Sequence, residues 1–516
     1  MILLLVGQTT LYAQQWPMAQ KLGSSDLQAN DNFGNAVSVS GDYLFVGAQG
    51  EVNGPTVSPT GAAYVFERQA DGTWQEVQKL TSPLVESLGY FGCDVAVAGE
   101  WALVGAYNED HSGKGAAGRV YAYRRAPGGQ WLVVDTLVAP DARDGDYFGF
   151  SLDMTEDYAL IGAYQHDYDA QGQDSVSNAG AAYLYQRQPS GQWTMLHKLV
   201  SPERDRSHQF GRQVAIDDDA LAIHAPGVQH PFTFWPNAGA VYAIHCNGAC
   251  DFASVGNSDV QVVGYEIGGS GMDLADGWLV CGQPEEKDPP GGGIFTESNM
   301  GAVFFFRWEN NQWTEQQKVY ASDNKRSAEF GASVTLGSGV CAVGAVGEGA
   351  GPNAGTGAVY VLELQPQGQW QEVAKLLPTE GFFLDRMGNA AAISDRDLIA
   401  AAERADTLDG TYRANAGAIY VFRRDAPLHN RSLPDISGLR LQNPGTDGWL
   451  RLFHPAEPLP GCTLRLSSLG GQTILQVRTT LGSHWQHPLH ALPSGVYLLR
   501  VEAPGYAPWH QRWVKP

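Results

Sequence analysis

The stretch Phe33-Gly-Asn35-Ala-Val-Ser-Val-Ser40-Gly-Asp42-Tyr43-Leu-Phe-Val-Gly-Ala48 decides the fold of this chain. Val and Ser alternate up to Ser40, a tight Gly-Asp turn follows, and an aromatic and β-branched run closes the segment, which together spell a β-hairpin. The hairpin returns along the chain. Phe-Gly recurs at Phe91-Gly92, Phe148-Gly149, Phe210-Gly211 and Phe330-Gly331, and Met387-Gly388 and a degenerate Gly268-Gly269 complete a series with steps of 58, 57, 62, 58, 62 and 57 residues. A period of this size marks seven copies of one supersecondary unit.

Each unit holds four apolar runs, read as strands A to D of an antiparallel sheet. Strand A is Asn35 to Ser40, and strand B is Tyr43 to Ala48, echoed by Trp101 to Ala106 and Tyr158 to Ala163. Strand C opens on a glycine, as in Gly61-Ala-Ala-Tyr-Val-Phe66, Gly118-Arg-Val-Tyr-Ala-Tyr123, Gly301-Ala-Val-Phe-Phe-Phe306 and Gly417-Ala-Ile-Tyr-Val-Phe422. Strand D opens on a tryptophan, as in Trp74 to Leu80 and Trp370 to Leu376. Trp16, Trp74, Trp131, Trp193, Trp313 and Trp370 each precede the next Phe or Met anchor by 17 residues. Trp16 therefore opens a strand D ahead of the first strand A, while the seventh unit, ending at Phe422-Arg-Arg-Asp425, has no such strand after it. A ring solves both problems: Trp16 to Leu22 completes the seventh sheet beside Gly417 to Phe422 and leaves no exposed edge between first and last units. The expected fold class is all-β, a seven-bladed β-propeller followed by a small immunoglobulin-like β-sandwich.

Composition agrees. The 62 glycines suit many tight turns. Lys and Arg number 33 against 55 Asp and Glu, a net charge of −22 that argues against nucleic acid as a partner. Six cysteines are too few for a disulfide scaffold. Cys246 and Cys250 flank Asn247-Gly248 and are either a hairpin disulfide or two free thiols, whereas Cys281 and Cys341 sit in apolar strand patterns as core thiols. Ile2 to Val6 and the following residues to Gln15 resemble the end of a secretory signal peptide cleaved near Ala13 or Gln14, without its basic leading segment. No stretch approaches the ~18 to 20 apolar residues of a membrane-spanning helix, so no transmembrane span is expected.

The order Lys-Leu, loop, Tyr-Phe-Gly, apolar strand, Val-Gly-Ala, loop, Gly-Ala-Ala-Tyr-Val-Phe resembles the FG-GAP repeat, which builds seven-bladed propellers such as the head of integrin α-subunits. Integrin-type repeats hold calcium in an Asp-rich loop between strands A and B. Here that connection shrinks to Ser40-Gly-Asp42, Ala98-Gly-Glu100 or Thr155-Glu-Asp157, too short to supply the six to eight oxygens calcium takes. From Leu433 the period stops. The strands Trp449 to Phe453, Thr463 to Ser467, Thr473 to Val477 and Val496 to Val501 suit a small sandwich. Leu469-Gly-Gly471, Leu492 to Val501 and the terminal Trp513-Val-Lys-Pro516 resemble the C-terminal sorting domain of the type IX secretion system, which implies export to the surface of Bacteroidota-type bacteria and the secretion machinery as a partner. The alternative is an ordinary accessory sandwich. The expected layout is a signal peptide at 1–14, the propeller at 15–428, a linker at 429–436 and the sorting sandwich at 437–516.

No nucleophile motif, zinc motif or P-loop occurs. Asp71-Gly-Thr-Trp74 resembles the Asp-box turn of sialidase propellers but reads better as a hairpin. His166 and His111 fall in B to C loops, where a lone histidine is usually solvated. The expectation is a secreted or cell-surface binding or adhesion protein, not an enzyme, with an extracellular protein or glycan as ligand; the alternative is a glycan-active hydrolase or lyase using loop carboxylates. The long connections B to C (48–60, 106–117, 163–179, 225–238, 283–300, 345–356 and 402–416) share one rim with the D to A loops, and recognition concentrates on such loops. The candidate ligand-binding residues are Phe232, Phe234 and Trp235 in the most aromatic of these loops, and Asp167, Asp169 and Asp174 in another. The last three space oxygen donors as a calcium loop does, without the closing Glu, so a solvated acidic loop is the favoured reading and no cofactor is firm. Glu109, Asp110, Glu285, Glu286 and Asp406 are expected to make the same rim acidic.

Overall fold

A closed ring requires the two ends of the repeat array to share a sheet, and the computed structural model of the chain shows that they do. It describes residues 16–53, 58–229, 238–245, 261–265, 271–286, 299–310, 312–323, 325–337, 339–349, 354–378, 383–408 and 412–424, and beyond these 440–442, 449–453, 459–468, 473–481, 484–488, 495–502 and 509–515. Met18–Leu22 pairs antiparallel with Ala418–Arg423, Met18 facing Phe422 and Leu22 facing Ile419. These two strands, with Asp397–Ala402 and Ala391–Ile393, form blade 7.

Blade 1 is Phe33–Ser40, Tyr43–Ala48, Ala62–Arg68 and Trp74–Leu80, hydrogen-bonded in that order. Five further four-stranded sheets repeat it, giving a seven-bladed β-propeller. Their A strands, Val95–Ala98, Leu152–Met154, Gln213–Ile216, Met272–Ala275 and Phe330–Gly337, touch one another and those of blades 7 and 1 in turn, so A is the innermost strand around the axis.

Three devices seal blade to blade. The first is the glycine that opens strand C. Gly61, Gly118, Gly180, Gly301, Gly357 and Gly417 have φ between +81° and +94°, and a Cβ on any of them would lie 2.0 to 2.1 Å from the carbonyl oxygen of the Phe or Met anchor of the next blade. Only glycine allows both the conformation and the approach. At the closure the anchor is Phe33, whose N–H donates to the Ala416 carbonyl at 3.0 Å. The second device is the D-strand tryptophan, buried in all six copies and leaning on the preceding blade. Trp131 meets Phe45 edge to face at 4.8 Å, and Trp74 donates its indole N–H to the buried Asp397 of blade 7 at 3.0 Å. The third lies between A strands. The carboxylates of Asp94, Asp153 and Asp273 accept the backbone N–H of Leu152, Ile216 and Leu336 at 2.8, 2.8 and 2.7 Å. Burial holds these acids above the ordinary carboxylate range, Asp94 at about 7, Asp273 at about 6 and Asp153 well above its usual value.

On the rim formed by A to B and C to D connections the turns are tight and ion-paired, except in blade 4, where strand C ends at His245 and strand D begins only at Gln261. Arg68 meets Asp42 at 2.8 Å, and Arg187 meets Asp157 at 2.6 Å. Cys281 and Cys341 are buried free thiols, as expected, and Cys246 and Cys250 lie outside the described residues.

Residues from 440 onward belong to a second compact unit. It contains a three-stranded sheet, Arg440–Gln442, Trp449–Phe453 and His484–Pro488, and a four-stranded sheet in the order Thr473–Leu481, Leu459–Ser468, Gly495–Glu502, Trp509–Lys515. Cys462, Leu464 and Leu466 alternate on one strand and are all buried, which is how a half-buried strand is made.

Candidate binding face

The loops from B to C begin with one construction in every blade. Three residues past strand B, a backbone carbonyl accepts the N–H of the glycine opening strand C: Glu51 from Gly61, Glu109 from Gly118, His166 from Gly180, Val228 from Gly239, Glu286 from Gly301, Glu348 from Gly357 and Ala405 from Gly417, at 2.8 to 3.1 Å. This neck frees loop length from the fold. The sequence separation across it runs from 118 − 109 = 9 to 301 − 286 = 15 residues while the strands beneath stay in register.

Under the neck, three blades assemble a polar tetrad from four segments, buried at its Tyr and its Glu or His and open to solvent at its Asp. In blade 1 the Tyr64 hydroxyl lies within hydrogen-bond reach of Glu51 and Asp26, and Lys79 reaches both carboxylates. In blade 6 the counterparts are Tyr360, Glu348, Asp323 and Lys375, with Lys325 added. Blade 3 replaces the glutamate with His166: Tyr183 donates to Asp141 at 2.8 Å, Lys198 reaches Asp141 at 2.6 Å and the His166 Nε2 at 2.7 Å, and Asp146 lies 2.9 Å from Nδ1. Burial raises Glu51, while for Asp26, Asp141 and Asp323 it is outweighed by hydrogen bonds from the lysine and tyrosine, which leave these three below the usual range. His166 is thus not a solvated loop residue as its position suggests. It and Glu109, which accepts from Tyr121 at 2.6 Å, are fully buried neck residues, so the rim loses Glu109 from its expected acidic surface.

Above the neck, near the axis, the D to A loops arrive in a repeated strained conformation. The residue before each anchor is left-handed: Asn32, Tyr90, Tyr147, Gln209, Glu329 and Arg386 have φ of +53° to +59°. Bulky side chains in that region are uncommon and cost about 1 to 2 kcal/mol each. Such outliers motivate a functional reading. In blades 2 to 4 this position joins two others, the residue after strand B and the second residue after the anchor, in a ladder of half-buried rings. Tyr90 stacks on Tyr107 at 5.4 Å, Tyr107 meets Tyr147 at 5.3 Å and Phe150 at 5.2 Å, and Tyr164 meets Tyr147 at 5.7 Å and Phe150 at 4.8 Å. Arg212 ends the ladder, its guanidinium 4.1 Å from the Phe150 ring centre and 4.7 Å from that of Tyr164. Beside the ladder, the loop before Tyr90 exposes Leu84, Val85 and Leu88 at 51, 41 and 42%, and Asn108 holds it by donating to the Leu88 carbonyl at 2.8 Å. In the sequence only the Tyr-Phe-Gly anchors stand out. The usable signal is the pairing of Tyr before Phe-Gly with Tyr after Val-Gly-Ala or Ile-Gly-Ala, which occurs in blades 2 and 3.

The acidic candidates are placed differently. The Asp167 carboxylate accepts the Asn178 N–H and that of Asp169 the Gln173 N–H, each at 2.7 Å, while Asp174 lies 3.8 Å from Arg204. Asp167 and Asp169 serve their own loop and Asp174 faces the neighbouring D to A loop, and the Gln173 N–H holds Asp169 below the ordinary carboxylate range. Among the described residues no three His, Cys, Asp or Glu side chains converge as a metal ion would require. Phe232, Phe234 and Trp235 lie outside the described residues, as does Gly268-Gly269.

Comparison with known proteins fits this geometry. Residues 16–66, 74–123, 131–185 and 313–362 match the FG-GAP repeat. Each match starts at a D-strand tryptophan and ends in strand C of the next blade, so the sequence repeat is offset from the sheet by one strand. That offset is why Met18–Leu22 must close blade 7. The chain carries FG-GAP repeats, and they build its seven-bladed propeller. No curated protein matches the chain.

Proposed function

We propose that this chain is a secreted or cell-surface binding protein of the adhesion type, whose propeller presents ligand-contacting loops on the B to C and D to A face. The observation that carries the reading is the ladder of half-buried rings, held by left-handed backbone and flanked by exposed Leu84, Val85 and Leu88, on the rim formed by the B to C and D to A loops. Partly open aromatic rings beside exposed aliphatic side chains mark an interaction site. The loop with Phe232, Phe234 and Trp235 joins strands B and C of the blade that carries Arg212, and we assign it to the same face. Binding fits better than glycan hydrolysis, because Asp94, Asp153 and Asp273 are each committed to a neighbouring blade's backbone and Asp167 and Asp169 to their own loop.

Export follows from the ends of the chain in this reading: a signal-like start at 1–14 and an immunoglobulin-like sandwich at 437–516 that resembles a type IX sorting domain and engages that secretion machinery. Deleting residues 437 to 516 should then keep the protein from the cell surface, and display that survives the deletion would remove the sorting role. For the propeller, the full chain is incubated with a panel of glycans and extracellular proteins. Saturable binding without product, weakened by Tyr107→Ala or Trp235→Ala at unchanged stability, is the expected result. Turnover of a panel member would favour the hydrolase or lyase instead.

A further inference from the structure

Arg212 is the feature of this face that the fold does not explain. Most arginines of the propeller face an acid: Arg68 faces Asp42, Arg187 faces Asp157, Arg423 faces Asp397 and Arg424 faces Glu363. Arg212 does not. Among the described residues its guanidinium has aromatic rings as neighbours and no carboxylate within ion-pair distance, in a chain where acids outnumber bases 55 to 33. Partial burial lowers its basicity. A half-buried cation without a counter-ion costs free energy unless something supplies the anion. The Phe150 and Tyr164 rings give the guanidinium cation–π contact but accept none of its N–H groups as a carboxylate would, which leaves those donors for a partner. Among the described residues the hydroxyls of Tyr90, Tyr107 and Tyr147, on rings further along the ladder, also make no hydrogen bond to another protein group.

We propose that the ladder from Tyr90 to Arg212 is a subsite for an acidic saccharide, a sugar bearing a carboxylate or sulfate group. The inference rests on the binding-face reading above. The anionic group takes the guanidinium edge, with the fork geometry that matches Arg to a carboxylate or sulfate. The pyranose C–H faces lie on the rings, whose negative π faces attract polarised C–H bonds, and the sugar hydroxyls meet the unpaired tyrosine hydroxyls. Five rings spread over blades 2 and 3 suit a chain of sugars better than a single small anion. An acidic peptide would satisfy the guanidinium but has less use for a row of amphipathic rings.

The test uses the full chain and four probes in calorimetry: oligogalacturonate, a heparin fragment, a neutral cello-oligosaccharide of matched length, and poly-glutamate. The expected result is binding of at least one acidic oligosaccharide, with the neutral oligosaccharide about tenfold weaker or worse and Arg212→Gln losing about tenfold or more. Arg212→Lys should recover only part, since an ammonium lacks the planar fork. Tyr107→Ala should weaken the same probe, and Val77→Thr, on the outer strand of blade 1, should not. Thermal unfolding of each variant separates loss of binding from loss of fold. Carboxylated against sulfated probes decide which group is taken. Equal binding of acidic and neutral sugars, an Arg212→Gln variant that binds like the parent, tight binding of poly-glutamate alone, or no binding of any acidic oligosaccharide would each overturn the proposal. In those cases a protein ligand that still loses affinity on Tyr107→Ala would leave the binding face standing, and one that maps to the tight-turn rim would remove both.

Discussion

Gly417→Ala tests ring closure at a single methyl. The new Cβ would lie 2.0 Å from the Phe33 carbonyl oxygen and 2.6 Å from its nitrogen, both backbone atoms that cannot rotate aside. Ordinary carbon–oxygen contact begins at about 3.3 Å, so the seam between blades 7 and 1 must open by about 1.3 Å. That stretches the 3.0 Å bond from the Phe33 N–H to Ala416 beyond use, at about 1 to 3 kcal/mol for a buried pair. Holding φ at +94° with a side chain adds about 1 to 2 kcal/mol. The sum is about 2 to 5 kcal/mol. Gly41→Ala is the control: it shares a positive φ of +58° but has nothing within 4 Å, so it should cost about 1 kcal/mol. Gly61→Ala, at the seam between blades 1 and 2, should match Gly417→Ala. Urea unfolding of the three variants measures the differences. If Gly417→Ala proved as mild as Gly41→Ala while Gly61→Ala was severe, blades 7 and 1 would not be sealed and the closure argument would fail.

Three other outcomes follow from the same structure. Lys79→Met should destabilise by about 3 kcal/mol, because it strips the cation from the buried Glu51, and Lys79→Met with Glu51→Gln should recover part of that; additive losses in urea unfolding would show the tetrad is not coupled. Stability should peak at about pH 4, the unfolded carboxylate value. Burial holds Asp31, Asp94 and Asp217 at about 7 and Asp273 at about 6, so their contribution is complete below the unfolded value of about 4 and is lost as pH rises through 6 to 7. Asp26, Asp141 and Asp323, held low, contribute above that value and lose their contribution as pH falls through their folded pKa; a urea midpoint that climbs steadily from pH 5 to 9 would contradict this. Replacing the blade 3 loop above its neck by one of blade 6 length should change stability by less than about 1 kcal/mol, since the bond from Gly180 to His166 carries the fold, and a large loss in thermal unfolding would show that the loop itself is structural.

How much of this was legible in the sequence depends on how far apart the contributing residues lie. The Phe-Gly and Trp registers are local, and 17 residues of constant spacing were enough to foretell seven blades and to send Trp16 to Leu22 to the far end of the chain. The glycine opening strand C was visible as a motif, but its reason, a backbone approach from the next blade, was not. The tetrads were invisible because Asp26, Glu51, Tyr64 and Lys79 come from four segments and meet only when the sheet forms. His166 and Glu109 misled for the same reason: each reads as a loop residue, yet each occupies the neck, where its side chain points into the blade. The aromatic ladder was half legible, since Tyr90 and Tyr147 belong to the quoted anchors while Phe150 and Arg212 acquire meaning only when three blades stand side by side.

The most direct test of the account is a hydrogen-exchange footprint of the full chain with and without a saturating ligand, oligogalacturonate or whichever glycan or extracellular protein of the panel binds. The account predicts slowed exchange at 88–93, 107–111, 147–151, 164–167 and 209–213, with the A to B turns at 41–42, 99–100 and 156–157 unchanged. Protection confined to those turns, with the ladder exchanging as in the free protein, would contradict it.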